Sequence, residues 1–302
     1  MSCFAIRQGG LSKISWTAEN SSGDMRLVVE AGATKSDWRI IGGAFSGEER
    51  HLFPGINVSS MPMARNIETV ETALRALGNP RPESLFMYVA GIVTEDVKRS
   101  LVPVLQELTG AEEIEVRDDM VAAARAVCGR EPGIVAILGT GSNTCFWDGT
   151  EAVSKVRSGG FIIGDEGGGA ALGKLFLADF IKDLVPEPVA AGFAENFDAS
   201  YEAIVRNVYR GPAPSGYLGS IAPFLLARYE DPYVKSLVDG NFRAFVQRSL
   251  KRYETDKYPV GIAGGFGWAC RDIIKRICME EGVSVGCFES EPVNALVKYH
   301  SL

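Results

Sequence analysis

The sequence predicts an α/β protein made of two like-built domains, each a βββαβα unit, and three observations lead there. An apolar strand, a small-residue turn and a second strand occur at Arg26 to Ile41 and again at Gly133 to Trp147, with the turn glycines Gly32 and Gly141 lying 109 residues apart. Strand and helix patterns alternate after each hairpin, the order expected of an α/β fold rather than of an all-β or all-helical one. Recurrence of a whole strand–turn–strand block at long range is the signature of internal duplication.

The elements follow in chain order. Residues 26–30, Arg-Leu-Val-Val-Glu, form a short apolar strand that runs through Ala31-Gly32-Ala33 into a second strand at Trp38 to Ile41. Ala64 to Leu77 has helical spacing, with Ile67, Val70, Leu74 and Leu77 on one face. Ser84 to Val93 reads as a buried strand, Glu95 to Leu108 as a helix despite Pro103, Glu113 to Val116 as a strand, and Met120 to Cys128 as an Ala-rich helix. The second block opens with the apolar strand Gly133 to Leu138, turns at Gly139-Thr140-Gly141-Ser142 and returns along Asn143 to Trp147, where Asp148-Gly149 is a hairpin signal. Ala170 to about Glu254 is mainly helical. A strand at Tyr258 to Ala263 leads through Gly264-Gly265 into a helix at Trp268 to Glu280, and a strand near Val283 to Cys287 and a helix at Pro292 to Tyr299 follow. This places one domain at 25–131 and a second, with a helical insertion, at 132–289, the helix of 290–302 packing back on the first. Residues 1–24 read as a polar, flexible extension without the apolar core of a signal peptide.

Composition narrows the function. With 302 residues, 46% hydrophobic and 23% charged, the chain can bury two ordinary cores. A formal charge of −7 with scattered Lys and Arg argues against nucleic acid as a partner. No apolar run approaches the ~20 residues of a membrane-spanning helix. The six cysteines have no Cys-x-x-Cys pair and read as reduced thiols of a cytoplasmic protein. The two histidines, His51 and His300, stand far apart, so chemistry must run on carboxylates, hydroxyls and backbone amides.

Four segments are candidates for it. Glu30 to Trp38 combines small residues, through which backbone can approach a phosphate, with donors at Gly32, Thr34, Lys35 and Ser36, and Glu30 could serve a magnesium ion. Gly139-Thr140-Gly141-Ser142-Asn143 lies directly after an apolar strand, where α/β proteins bind ligands. It is neither a P-loop nor a dinucleotide fingerprint. Residues 158–169 hold six glycines around Asp165 and Glu166, and Phe161-Ile162-Ile163 within them predicts partial burial. Asp118-Asp119 precedes the Ala-rich helix, one to cap it and the other to act as a general base. Gly264-Gly265 before a helix is a further nucleotide contact candidate.

In order, these segments resemble the N-acetylglucosamine kinase family and its BadF/BadG/BcrA/BcrD-type ATPase relatives, within the actin-like sugar-kinase superfamily. The resemblance spans residues 26–302. Glu30 to Trp38 resembles the first phosphate motif, and Gly139 to Asn143 matches the second, Gly-Thr-Gly-Ser-Asn, unchanged. Gly164-Asp165-Glu166-Gly167 matches the family's Gly-Asp-Glu-Gly, Ala263-Gly264-Gly265 resembles the adenosine motif, and Gly55-Ile56-Asn57 the segment with a sugar-contacting asparagine. Two departures stand out: the family's first acid is Asp where this chain has Glu30, and its Trp-Gly-His is replaced by Gly159-Gly160-Phe161. The resemblance implies two actin-like (ribonuclease H-like) domains flanking a nucleotide cleft and phosphoryl transfer from Mg-ATP to an amino-sugar hydroxyl. Asp119 is then the base and Asp118 its neighbour, ATP meets residues 30–36, 139–142 and 263–266, and the sugar meets Asn57, Asn143, Asp165 and Glu166. A homodimer is carried as a candidate assembly. Two alternatives remain open from sequence: an ATPase that activates a partner redox enzyme, and a sugar-binding regulator weakened in catalysis.

Overall fold

The computed structural model describes residues 24–32, 35–42, 45–58, 61–91 and 95–301. The chain forms two compact units. The first contains residues up to Ala122 together with those from Leu296 on, and the second runs from Ala123 to Ala295.

In the first unit the strands are β1 (Arg26–Ala31), β2 (Lys35–Gly42), β3 (Phe45–Ser46), β4 (His51–Pro54), β5 (Ser84–Val89) and β6 (Glu113–Asp118). The helices are α1 (Met63–Ala76), α2 (Glu95–Thr109) and the start of α3 (Asp119–Val127). The sheet order is β3-β2-β1-β5-β6, with β4 paired to β2. β1 runs antiparallel to β2 and parallel to β5. Leu27, Val29 and Ala31 of β1 join Leu85, Met87 and Val89 of β5 in one hydrophobic cluster with Val70, Ala73 and Leu74 of α1. The period-two alternation puts Val28, Phe86 and Tyr88 on the opposite face, also buried, as expected of central strands covered on both sides.

The second unit opens with β7 (Gly133–Leu138), β8 (Ser142–Trp147) and β9 (Ala152–Val156). Its helical insertion comprises α4 (Gly160–Ile163), α5 (Gly169–Phe180), α6 (Glu187–Asn196), α7 (Tyr201–Tyr209), α8 (Pro214–Ser220), α9 (Ala222–Leu226) and α10 (Pro232–Arg248). β10 (Val260–Ala263), α11 (Gly265–Ala269), α12 (Arg271–Glu280) and β11 (Val285–Glu289) follow, and α13 (Pro292–Ser301) begins here and belongs to the first unit from Leu296 on. Its sheet order, β11-β10-β7-β8-β9, repeats that of the first unit, a central strand with an antiparallel hairpin partner on one side and two parallel strands on the other. The predicted duplication is thus a duplication of sheet topology. The insertion packs Phe176, Phe193, Phe224, Phe242 and Phe245 onto Ile134, Ala136 and Leu138 of β7. Asp231 starts α10 by accepting the N–H groups of Tyr233 and Val234, with Pro232 in the first turn.

Three readings differ from the structure. The units divide at Ala122/Ala123 inside α3, upstream of 131/132, because the end of α3 sits on the second sheet: the Val127 carbonyl accepts from Cys287 Sγ at 3.3 Å. The helix read from Trp268 to Glu280 breaks at Cys270 into α11 and α12. The partial burial expected of Phe161-Ile162-Ile163 holds for Phe161 alone, since Ile162 and Ile163 are 70% and 79% exposed. Four residues make barely one helical turn, so a single side chain reaches the core. Residues 1–23 of the expected extension lie outside the described residues, as do Ala33 and Thr34.

Candidate active site

In the first unit, β1 ends at the predicted first phosphate motif. Glu30 lies on β1 opposite Asp37 of β2, and Asp37, 2% exposed, is held at 2.7 Å by both Arg39 and Arg50. Burial pushes the Glu30 carboxyl up to about 7, and the Asp119 and Asp37 carboxylates add to this, while Lys35 and Arg50 oppose it. A carboxyl raised by burial and a facing acid is what an arriving cation would relieve, so Glu30 fits a magnesium role. Among the described residues no group of three or more acid, His or Cys side chains is placed to hold a metal, so further ligands would have to come from phosphate or water. Lys35 is exposed at the start of β2. Ser36 is fully buried, its hydroxyl donating to the Pro54 carbonyl at 2.8 Å and accepting Trp38 Nε1 at 2.9 Å, so it supports the sheet rather than a ligand. The Gly32 N–H donates to Lys35 O, and the Gly32 carbonyl accepts the Ile56 N–H, which ties the motif to the segment before Asn57.

Two further elements complete this face. β6 delivers Asp118, whose Oδ1 accepts the Val121 N–H at 2.9 Å and so caps α3, leaving Asp119 as its first residue. Asn57 bridges to Ala90 beyond β5, and its backbone is gripped by Asn66, which accepts the Asn57 N–H and donates to the Asn57 carbonyl.

In the second unit the turn between β7 and β8 is closed by Gly139 N–H to Gly141 O. The first amides of α5 take its outer carbonyls: Gly169 N–H donates to Gly139 O at 2.9 Å and Ala170 N–H to Thr140 O at 2.8 Å. All peptide bonds described are trans, so the Thr140 and Gly141 N–H groups, antiparallel to those carbonyls, point away from α5. The result is a pair of outward amides suited to a phosphate oxygen. Asp165, 9% exposed and at φ +59°, lies against this turn; a Cβ on Gly141 would sit 2.6 Å from its Oδ2. Burial raises the Asp165 carboxyl, opposed by the Ser142 N–H and the Ser158 hydroxyl that bond it and by Lys174. β10 pairs with β7, so Gly264, at φ +112°, comes beside the same turn, where a Cβ would meet Leu138 O at 2.5 Å. Gly265 has open space around it. Asn143 spends its Oδ1 on the Thr144 N–H. Glu166 parts from Asp165: it pairs with Arg248 at 2.9 Å and lines a separate cavity of about 560 Å³ with Lys174, Asp179 and Tyr233.

No protein-family model and no curated protein matches the chain. The crystal structure of a candidate N-acetylglucosamine kinase from Porphyromonas gingivalis superposes with a TM-score of 0.84 at 33% identity, covering 91% of this chain and 98% of that one. This chain belongs to the N-acetylglucosamine kinase family. A second candidate N-acetylglucosamine kinase, from Chromobacterium violaceum, shares the fold at TM-score 0.72 and 18% identity, over 92% of this chain and 99% of that one. A ROK family glucokinase from Streptomyces griseus, solved with glucose and AMPPNP, shares it at TM-score 0.54 and 16% identity, over 92% of this chain and 98% of that one.

Within this family member the second unit gathers Gly139–Ser142, Asp165 and Gly264 at adjoining strand ends, and the first unit gathers Glu30, Asp118, Asp119 and Lys35. Sequence reasoning missed Asn66 and Asn241, both buried asparagines that bind backbone beside candidate residues. The signal was present. Asn66 precedes Val70, Ala73 and Leu74, and Asn241 follows Val234 and Val238, each at helical spacing within an apolar stripe.

Proposed function

We propose that this chain transfers the γ-phosphoryl group of ATP to a hydroxyl of an amino sugar, with N-acetylglucosamine as the first substrate to test. The observation that carries this reading is the Gly139–Ser142 turn, whose carbonyls are taken by α5 so that Thr140 and Gly141 present their amides as phosphate donors. Such donors, fixed before the ligand arrives, stabilise charge on a transferring phosphoryl group without reorganisation. Gly264 and Gly265 would take the adenosine side: the missing Cβ of Gly264 lets its backbone pack against Leu138 O, and Gly265 has open space around it.

Asp119 is the proposed general base. It accepts the proton of the attacking sugar hydroxyl as the new O–P bond forms and the bond from the γ-phosphorus to the bridging oxygen breaks, releasing ADP. Asp118 cannot easily share that task, because its Oδ1 already caps α3. Glu30 would hold magnesium, which when bound neutralises phosphate oxygens. Lys35 adds an exposed cation at the start of β2. Asn57, Asn143 and Asp165 are the proposed sugar contacts; Glu166, turned toward Arg248, is left out of them. A cytoplasmic setting, where ATP is supplied, belongs to the same reading.

The test is turnover with Mg-ATP across N-acetylglucosamine, N-acetylmannosamine, glucosamine and glucose. Asp119→Asn should lower kcat by roughly 10²–10⁴ with nucleotide affinity retained, the usual worth of a general base. Asp118→Asn, which keeps a capping oxygen, should cost far less. The reverse ranking would reassign the base, and ATP hydrolysis indifferent to every sugar would favour the activator alternative.

A further inference from the structure

The phosphate-binding turn is only as well placed as the residues that hold its carbonyls. Those residues are Gly169 and Ala170, at the start of α5, and they follow Gly167 and Gly168, where the Gly168 N–H closes a short turn onto Asp165 O at 2.9 Å. Gly167 sits at φ +83°, and Gly168 is so close to the turn that a Cβ on it would lie 2.8 Å from Gly141 C and 2.9 Å from Thr140 O. Further support comes from far away in sequence. Asn241, in the middle of α10 and 2% exposed, accepts the Gly167 N–H on Oδ1 at 3.0 Å and donates from Nδ2 to the Gly168 carbonyl at 3.3 Å. Its neighbours Val238, Phe242 and Phe245 are fully buried, so the carboxamide is held on a rigid support, and Phe245 closes the other side of Gly167.

We infer that Asn241 is a positioning residue for nucleotide binding: by gripping Gly167 and Gly168 it sets the register of α5's first amides and hence the orientation of the Thr140 and Gly141 donors. This rests on the proposal that the turn receives ATP phosphate. Asn241 touches no reacting atom; it acts through the loop. A buried carboxamide spanning one donor and one acceptor on consecutive residues is an expensive group to place in an apolar stripe, and only a fully bonded one is tolerated there. The N-terminal half of the same loop is held independently. Asp165 N–H donates to Ser158 O, Gly164 N–H to Gly160 O, and the Asp165 carboxyl bonds Ser142 N–H and the Ser158 hydroxyl. Loss of Asn241 should therefore loosen the phosphate donors while leaving the proposed sugar contact at Asp165 in place.

The experiment uses the full chain as wild type, Asn241→Leu and Val246→Ala, the last a fully buried residue of the same helix with no bond to the loop. Hydrogen exchange without ligand is read on peptides covering 139–142 and 167–170, and Mg-ATP affinity is read by calorimetry. In Asn241→Leu those amides should exchange faster and the Kd for Mg-ATP should rise about tenfold, as expected for two lost buried hydrogen bonds, with KM for the sugar unchanged. In Val246→Ala exchange should change only with global stability and the Kd should hold. If Asn241→Leu does not fold, Asn241→Asp, which keeps the acceptor for Gly167 and loses only the donor to Gly168, carries the same comparison. Unchanged exchange at the turn, or equal loss of nucleotide affinity in both helix variants, overturns the inference. Wild type that binds no Mg-ATP instead removes the nucleotide reading, and with it the functional half of this inference, while the exchange comparison still decides whether Asn241 positions the turn.

Discussion

Replacing Glu30 by glutamine in the ligand-free protein removes one carboxylate and almost no volume. In the unfolded chain Glu30 titrates near 4.5, whereas in the folded protein burial, with Asp119 facing it, holds the carboxyl up to about 7. Below about pH 4.5 both states carry the proton and the residue costs nothing. Between the two values the unfolded chain gives up its proton and the folded one keeps it, so stability falls as pH rises, and above about 7 the loss is complete. The gap between the two values corresponds to about 3 kcal/mol. Glutamine carries no charge at any of these pH values, so its stability curve lacks the fall. Urea unfolding, with hydrogen exchange of the β1 and β5 amides reporting on the first unit, should therefore show Glu30→Gln more stable than wild type by about 2–3 kcal/mol near pH 8. The two curves should converge near pH 4. Magnesium added at the higher pH should narrow the gap by stabilising the ionised carboxylate, which only the wild type has. A glutamine variant that is less stable near pH 8, or a gap that does not change with pH, would refute the argument.

The catalytic consequence of the same change is opposite in sign: Glu30→Gln should raise the magnesium requirement and depress turnover, while Glu30→Asp keeps substantial activity, measured by initial rates against magnesium concentration. Gly264→Ala should cost more than 2 kcal/mol of stability, because its Cβ would meet Leu138 O at 2.5 Å in a left-handed backbone, whereas Gly265→Ala, with open space, should be close to neutral in thermal melts. Gly141→Val should fold yet bind ATP at least tenfold more weakly in calorimetry, since even its Cβ would sit 2.6 Å from Asp165 Oδ2. Asn66→Leu should weaken sugar affinity rather than nucleotide affinity, because Asn66 holds the backbone of Asn57 along with the Met61 and Pro62 carbonyls at the start of α1.

Sequence reading succeeds where one physical signal dominates. Apolar strands ending in small-residue turns located both hairpins, and helical spacing located α1, while the stretch holding α5 to α10 was legible only as mainly helical. It fails where the signal is short or polar. β9 is mostly exposed along its length and carries no apolar alternation, and β3 has only two residues. The role of Ser36 was hidden because a hydroxyl two residues before Trp38 reads as a phosphate donor until the sheet brings Pro54 beside it. Asp165 and Glu166 are neighbours in sequence, yet the left-handed backbone at Asp165 sends one carboxylate to the turn and the other to Arg248. Adjacent acids in a glycine-rich loop imply a shared site only if the local backbone is known.

The last turns of α13 have a consequence for how the protein is made. His300 stacks on Phe86 at 3.7 Å, bonds Tyr88 Oη through Nε2 at 2.7 Å and accepts Arg26 on its carbonyl. All three partners lie on β1 and β5, which a ribosome finishes some two hundred residues earlier. During synthesis the second unit, an unbroken stretch of chain, can close its core while the first still shows an uncovered aromatic face. The order of translation and the order of completion are therefore inverted: the part begun first is sealed last. An aggregation-prone interval is built into biosynthesis, and its length is set by the time needed to translate the whole of the other unit.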